Sequence, residues 1–153
     1  MQDELDTTKL TSLLSQGGAL SRVVDSYGVR QSQLQLLTSI CKCIRSDLMG
    51  VFEAGTGIAK SFAYLIPSIE YAIKNGKRFV ISTAKINLQN QLINKDIPLV
   101  CSLLKVSQKD IKLVLVKGRG NYICLRKLED KIAETQVLQK DLELTNFSEE
   151  KKK

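Results

Sequence analysis

The chain of 153 residues contains no histidine, no tryptophan, only two prolines and few aromatic residues (5%). Without histidine, acid–base catalysis and metal binding by an imidazole are both excluded. No apolar run reaches the roughly 18 residues that span a bilayer, and the acidic, polar start MQDELDTTKL is not a secretory signal. We therefore expect a cytoplasmic protein with no membrane partner. The length predicts one domain that can bury a hydrophobic core.

Cysteine is present at only four positions, namely Cys41, Cys43, Cys101 and Cys124. A cytoplasmic location disfavours disulfides. The C-x-C spacing of the first two matches neither a zinc ribbon nor a redox C-x-x-C motif. On a helix these two side chains would point about 200° apart, which disfavours a shared metal. We interpret Cys41, Cys43 and Cys101 as small apolar packing residues.

The charge is unbalanced, because 23 Lys and Arg residues face 16 Asp and Glu residues, giving a net charge of +7. A basic chain favours phosphate-rich partners such as nucleic acid or nucleotides. An ordinary basic protein with no such partner fits the charge equally well. The same two interpretations, DNA-phosphate contacts or solvated charges, apply to a set of basic residues in the last third of the chain: Lys112, Lys117, Arg119, Arg126 and Lys127.

Apolar periodicity predicts alternating helices and strands. Helices are expected at 4–15, 18–26, 31–46, from 62 to about 74, 86–95, 99–107 and 120–139, followed by a solvated end. Pro67 should kink the fourth of these helices, and Gly76 suits a left-handed C-cap. Buried strands are predicted at three short apolar runs, 48–53, 78–83 and 112–118. This order predicts an α/β fold, with a parallel sheet flanked by helices and ligands bound at the carboxyl ends of the strands.

The stretch VFEAGTGIAKSFAYLIP (51–67) has the layout of a phosphate-binding loop, G-x-x-x-x-G-K-[ST]. In such a loop, backbone N–H groups and a helix N-terminus hold phosphates, the lysine reaches the terminal phosphates and the hydroxyl holds Mg²⁺. The motif alone leaves open a coincidental small-residue turn between a strand and a helix. The predicted nucleotide-binding residues of the loop are Gly55, Thr56, Gly57, Ala59, Lys60 and Ser61, and Ser61 is also the predicted Mg²⁺ ligand.

Ala59 departs from this pattern, which has glycine before the lysine. A Cβ atom there would crowd the phosphates or force the loop open. Strained backbone costs about 1–3 kcal/mol, which would weaken nucleotide binding roughly 5- to 150-fold. We therefore expect binding of ATP and Mg²⁺ to be weakened or lost.

The stretch EAGTGIAKSFAYLIP resembles the ATP-binding motif of the superfamily 2 iron–sulfur DNA helicases, in the bacterial DinG branch related to XPD. Three further stretches resemble motifs of that family in its order. YGVRQSQLQLL resembles the Q-motif, with Gly28 where the family prefers Glu, and implies that Gln33 contacts adenine. VISTAKINLQNQLINKDIPLV resembles motif Ia, with Lys85 in place of a common Thr. That resemblance implies that Thr83 and Gln91 lie along single-stranded DNA.

The last stretch, LVLVKGRGNYICLRKLE, resembles the segment that leads into the iron–sulfur insert of the family. It implies that Cys124 was the first ligand of a [4Fe–4S] cluster. The resemblance as a whole implies the N-terminal part of a first motor domain, a partial RecA-like lobe truncated where the insert starts. The implied domains are a helical lead-in (1–16), the partial ATP-binding lobe (17–118), and the start of the insert with a polar tail (119–153).

Several parts of the family pattern do not occur in these 153 residues. A [4Fe–4S] cluster needs four cysteine thiolates, and no cysteine follows Cys124, so we expect its cluster position to be vacant. An acidic DEAH-type motif and a second motor domain are also missing. The alternatives to a helicase part are a non-catalytic module that binds nucleic acid or a partner through a degenerate nucleotide site, and a decayed gene product.

Because the carboxylates that would activate water are missing, we expect no helicase activity and negligible ATP hydrolysis from this chain alone. DNA-stimulated release of phosphate from ATP by the purified protein would contradict this expectation.

Overall fold

The computed structural model describes residues 5–25, 27–55 and 59–150. The chain divides into two compact units, Met1–Leu115 and Val116–Lys153. The described part of the first unit is built from six α-helices. They are α1 (Thr7–Leu14), α2 (Ala19–Val23), α3 (Gln31–Arg45), α4 (Lys60–Asn75), α5 (Ile86–Gln91) and α6 (Ile97–Leu104), with a π-helical turn at Leu92–Asp96 and a 3₁₀ turn at Gln108–Asp110.

The first two helices are separated by a turn that only glycine can make. Asp6 caps the start of α1, and its Oδ1 accepts a hydrogen bond from the Lys9 N–H at 2.9 Å. After α1, Gly17 has a φ of +71°, and a Cβ atom on Gly18 would lie 2.3 Å from the Ser12 carbonyl oxygen. The predicted separation of the first two helices is therefore confirmed.

The two longest helices of this unit, α3 and α4, form its centre. α3 directs Leu37 and Cys41 into the core, while α4 packs against both α3 and α6. α4 runs without interruption through the buried Pro67 and ends at Gly76, whose φ of +59° confirms the predicted left-handed C-cap. The buried apolar residues of the core are Leu5, Leu10, Leu14, Leu20, Leu37, Cys41, Ala63, Leu65, Ile66, Ile69, Leu92, Ile97, Val100, Cys101 and Leu103.

A buried carboxylate joins α1 to α4. Glu70 Oε1 lies 3.2 Å from Lys9 Nζ and 3.2 Å from Lys74 Nζ, and the Glu70 side chain is only 9% exposed. A charge removed from water to this degree is tolerated when it is paired and hydrogen-bonded. The Lys9 contact links α1 to α4, the helix that begins at the candidate phosphate loop, whereas Lys74 pairs with Glu70 within α4.

Pro98 does not separate two helices as the sequence predicted. α5, the π-helical turn and α6 follow one another directly, and the Ile97 N–H donates to the Leu92 carbonyl five residues earlier. Proline lacks an N–H group and its ring clashes with the carbonyl four residues before it. The wider π turn lets the chain pass Pro98 while remaining helical.

The predicted α/β fold, a RecA-like lobe with a parallel sheet, is wrong for this structure. Across residues 5–25, 27–55 and 59–150 there is no β-strand. The segments predicted as strands carry fully or largely exposed residues, with Val51 100%, Val80 91% and Val114 76% exposed. Short apolar runs only indicate that burial is favourable, whereas a strand also needs neighbouring strands to pair its N–H and C=O groups. Here the helices bury the core without that pairing.

The second unit contains a 3₁₀ turn at Arg119–Asn121 and the long helix α7 (Leu125–Glu150). The turn is closed by Lys117, whose N–H donates to the Tyr122 hydroxyl oxygen at 2.8 Å. α7 starts later than predicted and includes residues predicted as a solvated end. In the part of the chain that the structure describes, no helix is both long and apolar enough to cross a membrane.

Candidate functional site

The predicted phosphate loop lies directly before α4. Ala54 and Gly55 precede it, Ala59 is its N-cap residue, and Lys60 is its first residue. Thr56 and Gly57, also predicted to bind nucleotide, lie outside the described residues. The structure thus has the helix that the loop motif requires, without the strand predicted before it. Backbone N–H groups of the first turn and the positive end of the helix dipole are the features that attract anions there.

Ala59 adopts the backbone conformation for which the motif uses glycine. Its φ is +51° and its ψ is +52°, in the left-handed region. For an L-residue with a Cβ atom this conformation costs roughly 1–2 kcal/mol. The alanine therefore has the positive φ that a glycine would adopt here, but at the cost of backbone strain.

A buried glutamine holds the carbonyl of this strained residue. Gln33 is 0% exposed, and its Nε2 donates to the Ala59 carbonyl oxygen at 2.9 Å. The same carbonyl accepts from the Phe62 N–H at 3.3 Å. Gln33 was predicted to contact adenine, and the structure instead places its amide against the loop. The adenine role stays a prediction.

Tyr27 orients the Gln33 amide. Its hydroxyl lies 2.7 Å from Gln33 Oε1 and 3.0 Å from the Leu14 carbonyl oxygen. Because the hydroxyl has only one proton, it donates to one of these acceptors at a time, and the shorter distance favours Gln33 Oε1. With Oε1 facing the hydroxyl, the NH₂ end of the amide faces Ala59. Burial raises the pKa of Tyr27 above its ordinary value of 10.0, and the nearby Arg30 charge lowers the pKa by less.

Lys60 and Ser61, the predicted phosphate and Mg²⁺ ligands, occupy the first turn of α4. Lys60 is exposed, and its Nζ donates to the Ala54 carbonyl oxygen across the loop. Ser61 is half-buried. A phosphate group bound here would replace the carbonyl as the partner of the ammonium group, and an ion pair would then replace a neutral acceptor.

The residues predicted to contact DNA lie before and within α5. Thr83 Oγ1 donates to the Lys85 carbonyl at 3.2 Å, just before the helix. Gln91, the last residue of α5, is exposed and its Nε2 donates to Asp96 Oδ2 at 3.1 Å. The structure therefore joins Gln33 to Ala59 and Lys60 to Ala54, while Thr83 and Gln91 make contacts within their own segment.

Cys124 is an exposed free thiol in the second unit. Burial raises the pKa of Cys41 and of Cys101 in the first unit, which favours their neutral thiol forms. Among the described residues, no three side chains of the His, Cys, Asp and Glu types are placed to hold a metal ion. An iron–sulfur cluster requires four thiolates, so the described residues do not fit that group, and we derive no chemistry from it.

Sequence reasoning missed two residues, Tyr27 and Asp96. Tyr27 belongs to the stretch that resembles the Q-motif, but the spacing alone gives no indication that its hydroxyl bonds the glutamine six residues later. Asp96 is a single acidic residue just before Ile97-Pro98, and it is 2% exposed. The residues directly before it, Asn94 and Lys95, are polar, so the sequence gives no signal that this carboxylate is buried.

Comparison with curated proteins identifies relatives that match most of the chain. The chain is 37% identical over 126 residues to the ATP-dependent DNA helicase YoaA of Haemophilus influenzae, covering 82% of this chain and 19% of that protein. It is 42% identical over 115 residues to the ATP-dependent DNA helicase DinG of Photobacterium profundum, covering 72% of this chain and 16% of that protein. It is 35% identical over 143 residues to the ATP-dependent DNA helicase DinG of Escherichia coli, covering 88% of this chain and 19% of that protein.

The chain belongs to the DinG-like helicase family. The resemblance found from four short motifs is thereby confirmed. The chain spans less than a fifth of the length of these curated relatives. No protein-family model and no solved structure matches it.

The left-handed conformation of Ala59 predicts that Ala59→Gly stabilises the protein. The substitution removes about 1–2 kcal/mol of backbone strain and adds about 0.5–1 kcal/mol of conformational entropy cost. We expect a net gain of roughly 0.5–1 kcal/mol in the free energy of unfolding, measured by urea denaturation followed by circular dichroism. Ala72→Gly, the same change inside α4, should instead cost about 1 kcal/mol. A loss of stability in both variants would contradict the strain at Ala59.

Because of the Tyr27 hydroxyl, we expect the free energy of unfolding to decrease at alkaline pH. Because its pKa is higher in the folded than in the unfolded chain, the unfolded chain loses the phenolic proton first as pH rises. The free energy of unfolding should therefore fall above about pH 10. Tyr27→Phe should cost about 1 kcal/mol at neutral pH, since the buried Gln33 Oε1 loses its donor, and should show a shallower alkaline decline.

The matched control for this prediction is Tyr122→Phe, which removes a hydroxyl from a ring that is 55% exposed. We expect that variant to change the free energy of unfolding by less than Tyr27→Phe. Equal losses, or an unchanged alkaline slope in Tyr27→Phe, would show that the network does not depend on the hydroxyl.

Proposed function

We propose that this chain carries the nucleotide-binding loop and a single-stranded-DNA contact of an ATP-dependent DNA helicase of the DinG type. The observation that carries the proposal is the similarity, at 35–42% identity, to proteins named ATP-dependent DNA helicases. A match that covers 88% of the chain necessarily includes its central residues, among them the loop before α4 and the segment of Thr83 and Gln91. In this proposal residues 17–118 act as the nucleotide-binding part, with 1–16 as a lead-in and 119–153 as the start of an insert.

The phosphates of ATP would be held at the start of α4. Lys60 would supply the positive charge, the first-turn N–H groups would supply hydrogen bonds, and the Ser61 hydroxyl would face the accompanying Mg²⁺. The exposed position of Lys60 supports this role, because its ammonium group can exchange the Ala54 carbonyl for a phosphate oxygen without leaving a buried charge unpaired.

Recognition of adenine by Gln33 would require a change in the loop. The Gln33 amide is fully buried and bonded at both ends in the present conformation. An adenine base that bonds this amide would compete with the Ala59 carbonyl for Nε2. Binding of the base would thus release the loop residue that precedes Lys60, which links recognition of the base to the position of the phosphate ligand.

The effect of Ala59 on nucleotide affinity can be separated from the backbone strain at this residue. If the residue keeps a positive φ when nucleotide is bound, the backbone strain is the same in both states and cancels from the affinity. What remains is the crowding of the phosphates by one methyl group, and overpacking of this kind costs about 1–3 kcal/mol. The methyl group therefore weakens nucleotide binding only through its contact with the ligand.

We expect Ala59→Gly to bind ATP roughly 5- to 150-fold more tightly than the unaltered chain, measured by isothermal titration calorimetry with Mg²⁺ present. Lys60→Ala should weaken binding by at least roughly tenfold, because a phosphate–ammonium pair is lost. Lys77→Ala, an exposed lysine just after the same helix, changes the net charge equally and should leave the affinity unchanged.

Equal ATP affinity in Ala59→Gly and the unaltered chain would refute the crowding argument while leaving the site intact. Equal affinity in Lys60→Ala and Lys77→Ala would refute the nucleotide site itself. Salt-dependent binding of DNA that is indifferent to ATP would then favour the non-catalytic nucleic-acid-binding module.

A further inference from the structure

Asp96 is a buried carboxylate that the proposed nucleotide chemistry does not use. It is 2% exposed and ends the π-helical turn between α5 and α6. A carboxylate at this depth needs hydrogen-bond donors to offset its lost hydration. Its Oδ2 accepts a hydrogen bond at 3.1 Å from Nε2 of Gln91, whose own side chain is exposed.

The π-helical turn is what brings these two side chains together. In a regular α-helix, residues five apart point about 140° away from each other. The π turn has hydrogen bonds between residues five apart, which brings positions i and i+5 towards one face. The Ile97 N–H bond to the Leu92 carbonyl shows this register at the same place. Such insertions occur frequently at functional sites.

The charge of Asp96 also acts on α4. Burial raises the pKa of Tyr64, and the negative charge of Asp96 raises it further. Tyr64 lies one turn after Lys60, and α4 packs against the π-helical turn. Asp96 therefore lies between the helix that carries the candidate phosphate ligands and the residue predicted to contact DNA.

We propose that Asp96 is a positioning residue that fixes the Gln91 amide for a contact with single-stranded DNA. By accepting one N–H from Nε2, it leaves the second N–H and the Oε1 of Gln91 free to face outward as one donor and one acceptor. That pair suits a base edge or a neighbouring phosphate and sugar. The inference rests on the proposed function, in which Gln91 contacts DNA.

The positioning role and the simple effect of charge predict opposite changes in DNA binding when Asp96 is replaced. Replacing Asp96 by a neutral residue raises the net charge from +7 by one, which by itself strengthens binding to a polyanion. A positioning role predicts the opposite result for Asp96→Ala, with weaker binding. Asp96→Asn makes the same charge change but keeps an oxygen that accepts the Gln91 hydrogen bond, so it should retain binding.

The experiment measures binding of a fluorescein-labelled oligothymidine to the full chain by fluorescence anisotropy over a series of salt concentrations. Asp96→Ala should bind roughly fivefold more weakly, the effect of one hydrogen bond. Asp96→Asn should stay within roughly twofold of the unaltered chain. The salt dependence of Asp96→Ala should not become shallower, because no phosphate-neutralising charge is removed.

A double-mutant comparison separates positioning from a general loss of structure. In the Gln91→Ala background, Asp96→Ala should cause no further loss of DNA binding, whatever it does to the urea midpoint followed by circular dichroism. If Asp96→Ala weakens binding equally with and without Gln91, or leaves binding unchanged, the positioning role is wrong. If the unaltered chain does not bind the oligonucleotide at all, the proposed DNA contact fails and the positioning role fails with it.

Discussion

The hydrogen bond from Gln33 to the Ala59 carbonyl is the constraint on which the candidate site depends. Gln33 is the only polar residue of α3 among the described buried residues, and a buried amide must find partners for both of its ends. Tyr27 satisfies one end and Ala59 satisfies the other. The start of α4 is thereby fixed to α3 at the point where the chain leaves the loop, and Ala59 is held in a conformation that its Cβ atom disfavours.

This arrangement explains how a strained residue persists. A cost of about 1–2 kcal/mol is comparable to the net contribution of one or two hydrogen bonds. The Ala59 carbonyl accepts from both Gln33 Nε2 and the Phe62 N–H. Relaxing the φ of Ala59 would turn that carbonyl away from both donors and leave a fully buried amide unpaired. The strain is therefore retained because its removal would cost more than it saves.

The sequence predicted the helices well and the strands poorly, for a physical reason. Helical periodicity is a local property, so α3, α4 and the cap at Gly76 follow from the residues alone. A sheet depends on pairing between segments some 30 residues apart, and an apolar run such as 78–83 indicates only a preference for burial. In this structure Phe79 and Val80 remain exposed, since the helices form the core without them.

The same distinction applies to the candidate site. The position of Lys60 at a helix start could be read from the motif, because the loop and helix are contiguous in sequence. The partner of Gln33 could not, since Ala59 lies 26 residues away and the contact depends on how α3 packs on α4. The bond between Gln91 and Asp96 is short in sequence but depends on a π-helical turn, for which the periodicity of apolar residues gives no signal.

α4 carries the first candidate region at its start and packs against the π-helical turn that follows the second. α4 begins at Lys60, carries Tyr64 in the next turn, and packs against both α3 and the π-helical turn. At one end its N-cap residue is held by Gln33. One turn later it meets the charge of Asp96, which bonds Gln91. The first turn of α4 stays restrained as long as the Gln33 amide keeps both of its partners.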